Sequence, residues 1–150
     1  MLHNLPIGVI TEQGRRNPTQ RIFDILEQHA IDSPGLKGRF KLACAIVYKK
    51  TIITVGTNSY KTHPIMEEYG NNKESIFLHA EIDAFNKALK LLSKEQLAKC
   101  DLYILRLKRD KKNKWVRGLA KPCKGCMKAI AQHNIRNIFF TQDNDAKRKW

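Results

Sequence analysis

The sequence predicts an α/β domain in which helices layer onto a mixed β-sheet, and three observations carry that expectation. Two β-branched segments flank a Lys49-Lys50 turn, which reads as a hairpin. A strongly amphipathic helix starts at His79. The chain then closes with strand, helix and strand between Asp101 and Thr141. A hairpin supplies antiparallel neighbours, whereas a strand–helix–strand crossover returns a parallel one, so the sheet combines both. At 150 residues, with no repeat and no internal boundary, one domain over 1–150 is expected, with 1–17 and 146–150 poorly ordered.

The elements follow in order. Pro18 to Ala30 reads as a helix because Ile22, Phe23, Ile25, Leu26 and Ala30 make one apolar face. Asn17 stands where a cap would, with Pro18 in the first turn. Ser33-Pro34-Gly35 ends it. Leu42 to Tyr48 and Thr51 to Thr57 are strands, built on Ile46, Val47, Ile52, Ile53 and Val55. The polar stretch Thr57 to Lys73 contains Pro64 and Gly70 and reads as a long loop. His79 to Leu92 repeats Ile82, Phe85, Leu89 and Leu92 at helical spacing, with Lys87, Lys90 and Lys94 opposite. Asp101 to Leu107 is a strand, Cys123 to Gln132 a helix and Asn137 to Thr141 the last strand.

Composition narrows the function classes. At 42% hydrophobic and 28% charged, the chain has no apolar run near the roughly 20 residues that span a bilayer, so a membrane role is not expected. Met1 to Gly14 lacks a basic segment followed by an apolar run, and the four cysteines include one close pair. A cytoplasmic protein with metal or redox chemistry is therefore expected. Lys plus Arg number 28 against 14 Asp plus Glu, a net charge of +14 that attracts phosphate on nucleotides or nucleic acids. A solvated basic surface without a partner is the plain alternative.

The chemistry concentrates in His79-Ala80-Glu81 and Pro122-Cys123-Lys124-Gly125-Cys126. At about 100° per residue, positions 123 and 126 share one helix face, so both sulfurs can reach one ion. A helix start also favours thiolates. His79 is expected to open its own helix, where relaxed geometry lets the imidazole take a metal while Glu81 approaches a bound water. Three protein ligands leave zinc an open position for an activated water, and a neighbouring carboxylate suits general acid–base work. Taken alone, Cys-x-x-Cys also fits a dithiol redox pair, or a structural zinc completed by Cys44, Cys100, His63 or His133. Cys44 and Cys100 read better as small buried residues.

These motifs give the chain a family likeness: it resembles the cytidine and deoxycytidylate deaminase superfamily, which also holds tRNA adenosine and polynucleotide cytidine deaminases. The likeness runs from about Leu42 to Thr141, through Ala-Ile-Val-Tyr, Val-Gly-Thr-Asn, His-Ala-Glu-Ile-Asp-Ala, Pro-Cys-Lys-Gly-Cys-Met-Lys-Ala-Ile and Ile-Arg-Asn-Ile-Phe-Phe. The resemblance implies a three-layer α/β/α fold, a mixed central sheet with helices on both faces, and a homo-oligomer. It implies Zn2+ held by His79, Cys123 and Cys126, with Glu81 as the catalytic proton carrier. Asn58 and Ala80 match positions that contact the substrate; Asn58 also suits a plain turn and Ala80 a plain helix.

The expected reaction is hydrolytic deamination of a cytosine nucleotide resembling deoxycytidylate, with water activated on zinc adding at C4 and ammonia leaving. Editing of cytosine or adenine in single-stranded DNA or tRNA is the alternative, and a non-catalytic zinc-containing nucleic-acid-binding module is another. Lys121 stands where tRNA adenosine deaminases place glutamate, and Gly56-Thr57-Asn58-Ser59 departs from the nucleotide branch's Gly-Tyr-Asn-Gly. Lys61-Thr62-His63 and Lys124 are candidate phosphate contacts. Arg106 to Arg117 holds seven basic residues, one acid and Trp115, the ingredients of a single-strand groove or of a solvated turn.

Overall fold

The structure, a computed structural model, describes residues 7–11, 18–32, 40–57, 75–121 and 124–143. Its elements are β1 (Ile7–Thr11), α1 (Gln20–Asp32), β2 (Phe40–Tyr48), β3 (Thr51–Thr57), α2 (Ser75–Leu89), α3 (Lys94–Leu97), β4 (Asp101–Arg109), β5 (Trp115–Gly118), α4 (Lys124–Ala131) and β6 (Asn137–Thr141). The strand order is β1-β6-β4-β2-β3, with β5 also paired to β4. β4 and β6 run parallel from Asp101↔Asn137 to Ile104↔Phe140, as the crossover required. Every other pairing is antiparallel. The sheet is mixed, as expected.

Alternation along the central strands assigns the layers. Leu42, Cys44 and Ile46 of β2, Leu102 and Ile104 of β4, and Ile138 and Phe140 of β6 pack with Ala80, Ala84, Phe85 and Ala88 of α2, Leu97 of α3 and Ile130 of α4. The residues between them, Ala43, Ala45, Val47, Tyr103, Leu105, Leu107 and Phe139, pack with Ile22, Phe23, Leu26 and Ala30 of α1. Strands covered on both sides read as continuous apolar runs, which is why β2 and β4 were legible. Three layers, α/β/α, result.

Two strands escaped the sequence reading. β1 pairs with β6 from Ile7↔Thr141 to Thr11↔Asn137. It carries Gly8 where a strand signal is weakest. A Cβ at position 8 would lie 2.1 Å from the Phe140 ring, so glycine makes room for that aromatic. β5 is only four residues long, Trp-Val-Arg-Gly, and pairs with β4 from Arg106↔Gly118 to Arg109↔Trp115. Its hairpin turn is built by Asp110, whose Oδ1 accepts from Lys112 N (2.8 Å) and Lys114 N (2.9 Å), while Asn113 takes a positive φ of 62°. Neither the Ser33-Pro34-Gly35 break nor the loop following Thr57 falls among the described residues.

Helix limits differ from expectation at both ends of α2. It begins at Ser75, four residues before His79, and closes at Leu89, where Leu91 N and Leu92 N both turn back to Ala88 O. His79 is therefore the fifth residue of α2 and does not open it, a correction to the sequence reading. Nothing in Ser-Ile-Phe-Leu breaks a helix, so the apolar repeat propagates upstream. A short α3, capped by the reciprocal Ser93 and Gln96 hydrogen bonds, was also unforeseen.

Candidate metal centre

β3 and β4 both run antiparallel to β2 and hence parallel to each other, so their carboxyl ends lie at one end of the sheet. Ligand sites in open α/β sheets form outside such ends. Here Gly56 sits opposite Cys44 near the end of β3, and α2 crosses directly over it. A Cβ at position 56 would lie 2.3 Å from Ala80 O and 2.5 Å from Ala84 N, so only glycine lets the helix backbone approach this closely. The small residues Ala80, Ala84 and Ala88 complete the fit from the helix side.

Polar contacts fix the docking. Thr54 Oγ1 donates to Ala84 O (3.0 Å), and Thr57 N donates to Asp83 Oδ2 (3.4 Å). Lys87 Nζ donates to Val55 O (2.9 Å) and pairs with Asp83 (3.1 Å). Sequence reading gave Gly56 no role beyond the strand end; its signal was a glycine inside a β-branched run.

Glu81 is the singular group of this end. It is 1% exposed, and neither carboxyl oxygen meets a hydrogen-bond partner among the described residues. Burial raises its pKa from 4.5 to about 8, because a desolvated carboxylate is disfavoured. An orphaned buried carboxyl is costly unless a ligand satisfies it. Ala80, its neighbour, is fully buried against the sheet.

Cys126 is the third residue of α4. Cys123 and Asn58 lie outside the described residues, as do Lys61-Thr62-His63 and the side chains of His79, Lys124 and Cys126. The helices carrying His79 and Cys126 lie on the same face of the sheet, tied by Phe85 of α2 stacked on His133 just after α4, centroids 4.2 Å apart at 15°. His133 is thereby occupied in packing, and burial, with Lys94 nearby, lowers its pKa. Cys44 and Cys100 are buried as small core residues, and Cys100 Sγ donates to Gln96 O at 3.4 Å.

The basic stretch Arg106 to Arg117 divides. Arg117, 5% exposed, turns onto α1 and donates from Nε to Glu27 (2.9 Å), from Nη2 to Asp24 (2.8 Å) and from Nη1 to Gln20 (2.9 Å). Trp115 packs at the edge of the α1 core, with the Arg109 guanidinium 4.1 Å from its ring centroid and Lys41 Nζ at 5.3 Å. Arg109, Lys111, Lys112 and Lys114 remain exposed on the hairpin.

Over residues 17–142 the chain matches the family described as the cytidine and deoxycytidylate deaminase zinc-binding region. The chain belongs to that family. No curated protein and no solved structure matches it. Membership makes zinc the cofactor and a cytidine- or deoxycytidylate-type deaminase the general class. The described part of the site fits the metal: a buried carboxyl with both oxygens unsatisfied suits a partner that delivers a cation and a water to it. Among the described residues, no helix is long and apolar enough to cross a membrane.

Proposed function

We propose that the chain is a single-domain deaminase that converts a cytosine nucleotide, deoxycytidylate-like, to the uracil nucleotide and ammonia, with His79, Cys123 and Cys126 holding the zinc. The observation that carries this reading is Glu81, buried and without a hydrogen-bond partner among the described residues, beside the carboxyl end of β3. When bound there, zinc supplies a water acidified enough to act as nucleophile near neutral pH. Glu81 accepts the proton that this water gives up and delivers it to the ring nitrogen; it then takes the proton of the hydroxyl added at C4, as the C4 carbonyl forms, and passes it to the departing amino group, which leaves as ammonia. A carboxyl desolvated in the site can take up a proton and release it, which suits both halves of that cycle. Ala80, its methyl packed against the sheet, offers its backbone amide to the base carbonyl, and Asn58 offers an amide to the sugar or base.

The test pairs a substrate panel with one variant. Zinc-loaded protein should release ammonia from deoxycytidylate or a related free nucleotide. Glu81→Gln should lower that rate by about 10³-fold, within the usual span of general acid–base catalysis. Retained turnover would remove Glu81 from its role.

A second reading rests on the exposed Arg109, Lys111, Lys112 and Lys114 of the β4–β5 hairpin, beside a turn whose one acid, Asp110, is engaged by backbone amides. Such a ridge suits the phosphates of a single strand, and ammonia released only from a cytosine-containing oligonucleotide would establish it. Polynucleotide binding with no ammonia release at all would instead mark a non-catalytic module.

A further inference from the structure

We propose that Thr141 and Asp143 are positioning residues for the zinc, acting through the stretch Gly118–Ala120 that leads into Pro122 and Cys123. The inference rests on the reading that Cys123 and Cys126 hold the metal.

β5 and β6 share one edge of β4: β6 covers Asp101 to Ile104 and β5 covers Arg106 to Arg109. Where one partner strand gives way to the other, the ladder is interrupted and backbone groups need new partners. Thr141, fully buried at the end of β6, fills the gap. Its hydroxyl donates to Gly118 O (2.6 Å) and accepts from Arg106 N (3.1 Å), while its carbonyl accepts from Ala120 N (2.9 Å). Asp143 Oδ1 accepts from Leu119 N (3.1 Å) and pairs with Lys108 Nζ (2.7 Å). Arg106 Nη1 reaches Leu119 O at 3.4 Å.

Each of the residues Gly118, Leu119 and Ala120 is thus held to β4 or to the end of β6. The pattern is more than hairpin closure needs, since β5 already pairs with β4 through Gly118. What the additional bonds fix is the exit of the chain toward Cys123, on one side of α4. Zinc sites tolerate ligand displacements of only about 0.2 Å, so a cysteine arriving on a loose segment binds weakly. A threonine is suited to the task because its hydroxyl donates and accepts at once while its methyl fills buried space. Valine keeps the shape and loses both bonds; serine keeps both.

The experiment measures zinc affinity by competition with a chromogenic chelator, and the rise in Tm on zinc saturation, for the full chain and five variants. Thr141→Val should weaken zinc by about 10- to 100-fold, the range seen when residues supporting metal ligands are lost. Its zinc-dependent rise in Tm should shrink. Thr141→Ser should bind zinc within about threefold of the parent, and Asp143→Ala, at a half-exposed position that does not threaten the core, should weaken binding measurably. Asp110→Ala, which cuts equivalent bonds at the hairpin tip, should leave zinc affinity unchanged. Equal losses of Tm with and without zinc, at unaltered affinity in Thr141→Val and Asp143→Ala, would reduce both residues to structural roles and overturn the proposal. A Cys123→Ser control that still binds one zinc at parental affinity would instead overturn the ligand assignment, and the proposal with it.

Discussion

Gly56→Ala places the closest approach of helix to sheet under direct test. The added Cβ would stand 2.3 Å from Ala80 O and 2.5 Å from Ala84 N. Both obstacles are backbone atoms inside a helix, so no side chain can rotate away. Restoring the roughly 3.3–3.6 Å of an ordinary C–H···O contact requires α2 to lift from β3 by about 1 Å. That movement lengthens the Thr54–Ala84, Thr57–Asp83 and Lys87–Val55 hydrogen bonds together. Overpacking a close-fitted core costs about 1–3 kcal/mol, and a backbone collision belongs at the upper end. At about 2–4 °C per kcal/mol for a chain of this size, Tm should fall by roughly 6–12 °C. Ala80 and Glu81 ride on the displaced helix, and a misplacement of about 1 Å can cost 10²-fold in rate. Calorimetry of the zinc-loaded variant and an initial-rate ammonia assay below its Tm read the two effects separately. A Tm within about 2 °C of the parent, with turnover within about threefold, would refute the claim that this close approach sets the helix.

Other perturbations are simpler. Arg117→Met keeps the buried stem but removes the bonds to Gln20, Asp24 and Glu27; because both acids are substantially exposed, the loss should be about 1–2 kcal/mol, read by urea denaturation. In zinc-free protein Glu81 binds its proton more tightly folded than unfolded, since burial raises its pKa from 4.5 to about 8. Its contribution therefore falls as pH rises from about 4.5 to 8, by up to about 5 kcal/mol, and Glu81→Gln should flatten that slope in urea titrations at several pH values. Parallel slopes in the two proteins would contradict this. Replacing Lys111, Lys112 and Lys114 together by alanine should leave turnover of a free nucleotide within about twofold. The same change should reduce the salt slope of any oligonucleotide binding by about 0.7 for each phosphate no longer neutralised.

Much of this architecture is written locally. β2, β3, β4 and β6 are dense in β-branched and large apolar residues, and the apolar faces of α1, α2 and α4 repeat at helical spacing, so each element declares itself. The parallel pairing of β4 with β6 followed from the intervening helix. What was illegible depends on partners distant in sequence. Gly8 is a strand residue only because Phe140 needs its space, and Gly56 matters only because α2 lies on it. Arg117 looked like part of a basic run until α1 supplied its acids. α2 starts upstream of the His79 motif because Ser75 to Leu78 carry no stop signal. The zinc motifs were plain from residue type and spacing, yet nothing in the sequence announced that Glu81 would lie buried without a hydrogen-bond partner among the described residues, or that Thr141 would bridge two strands.

The central claim is a zinc held by one imidazole and two thiolates with a position open to solvent. X-ray absorption at the zinc edge of the purified, zinc-loaded protein tests it most directly. The account predicts two sulfurs at about 2.3 Å, one nitrogen at about 2.0–2.1 Å and one light, exchangeable oxygen, with a sulfur absent in Cys126→Ser. A closed shell of four protein ligands, or an unchanged spectrum in Cys126→Ser, would contradict it.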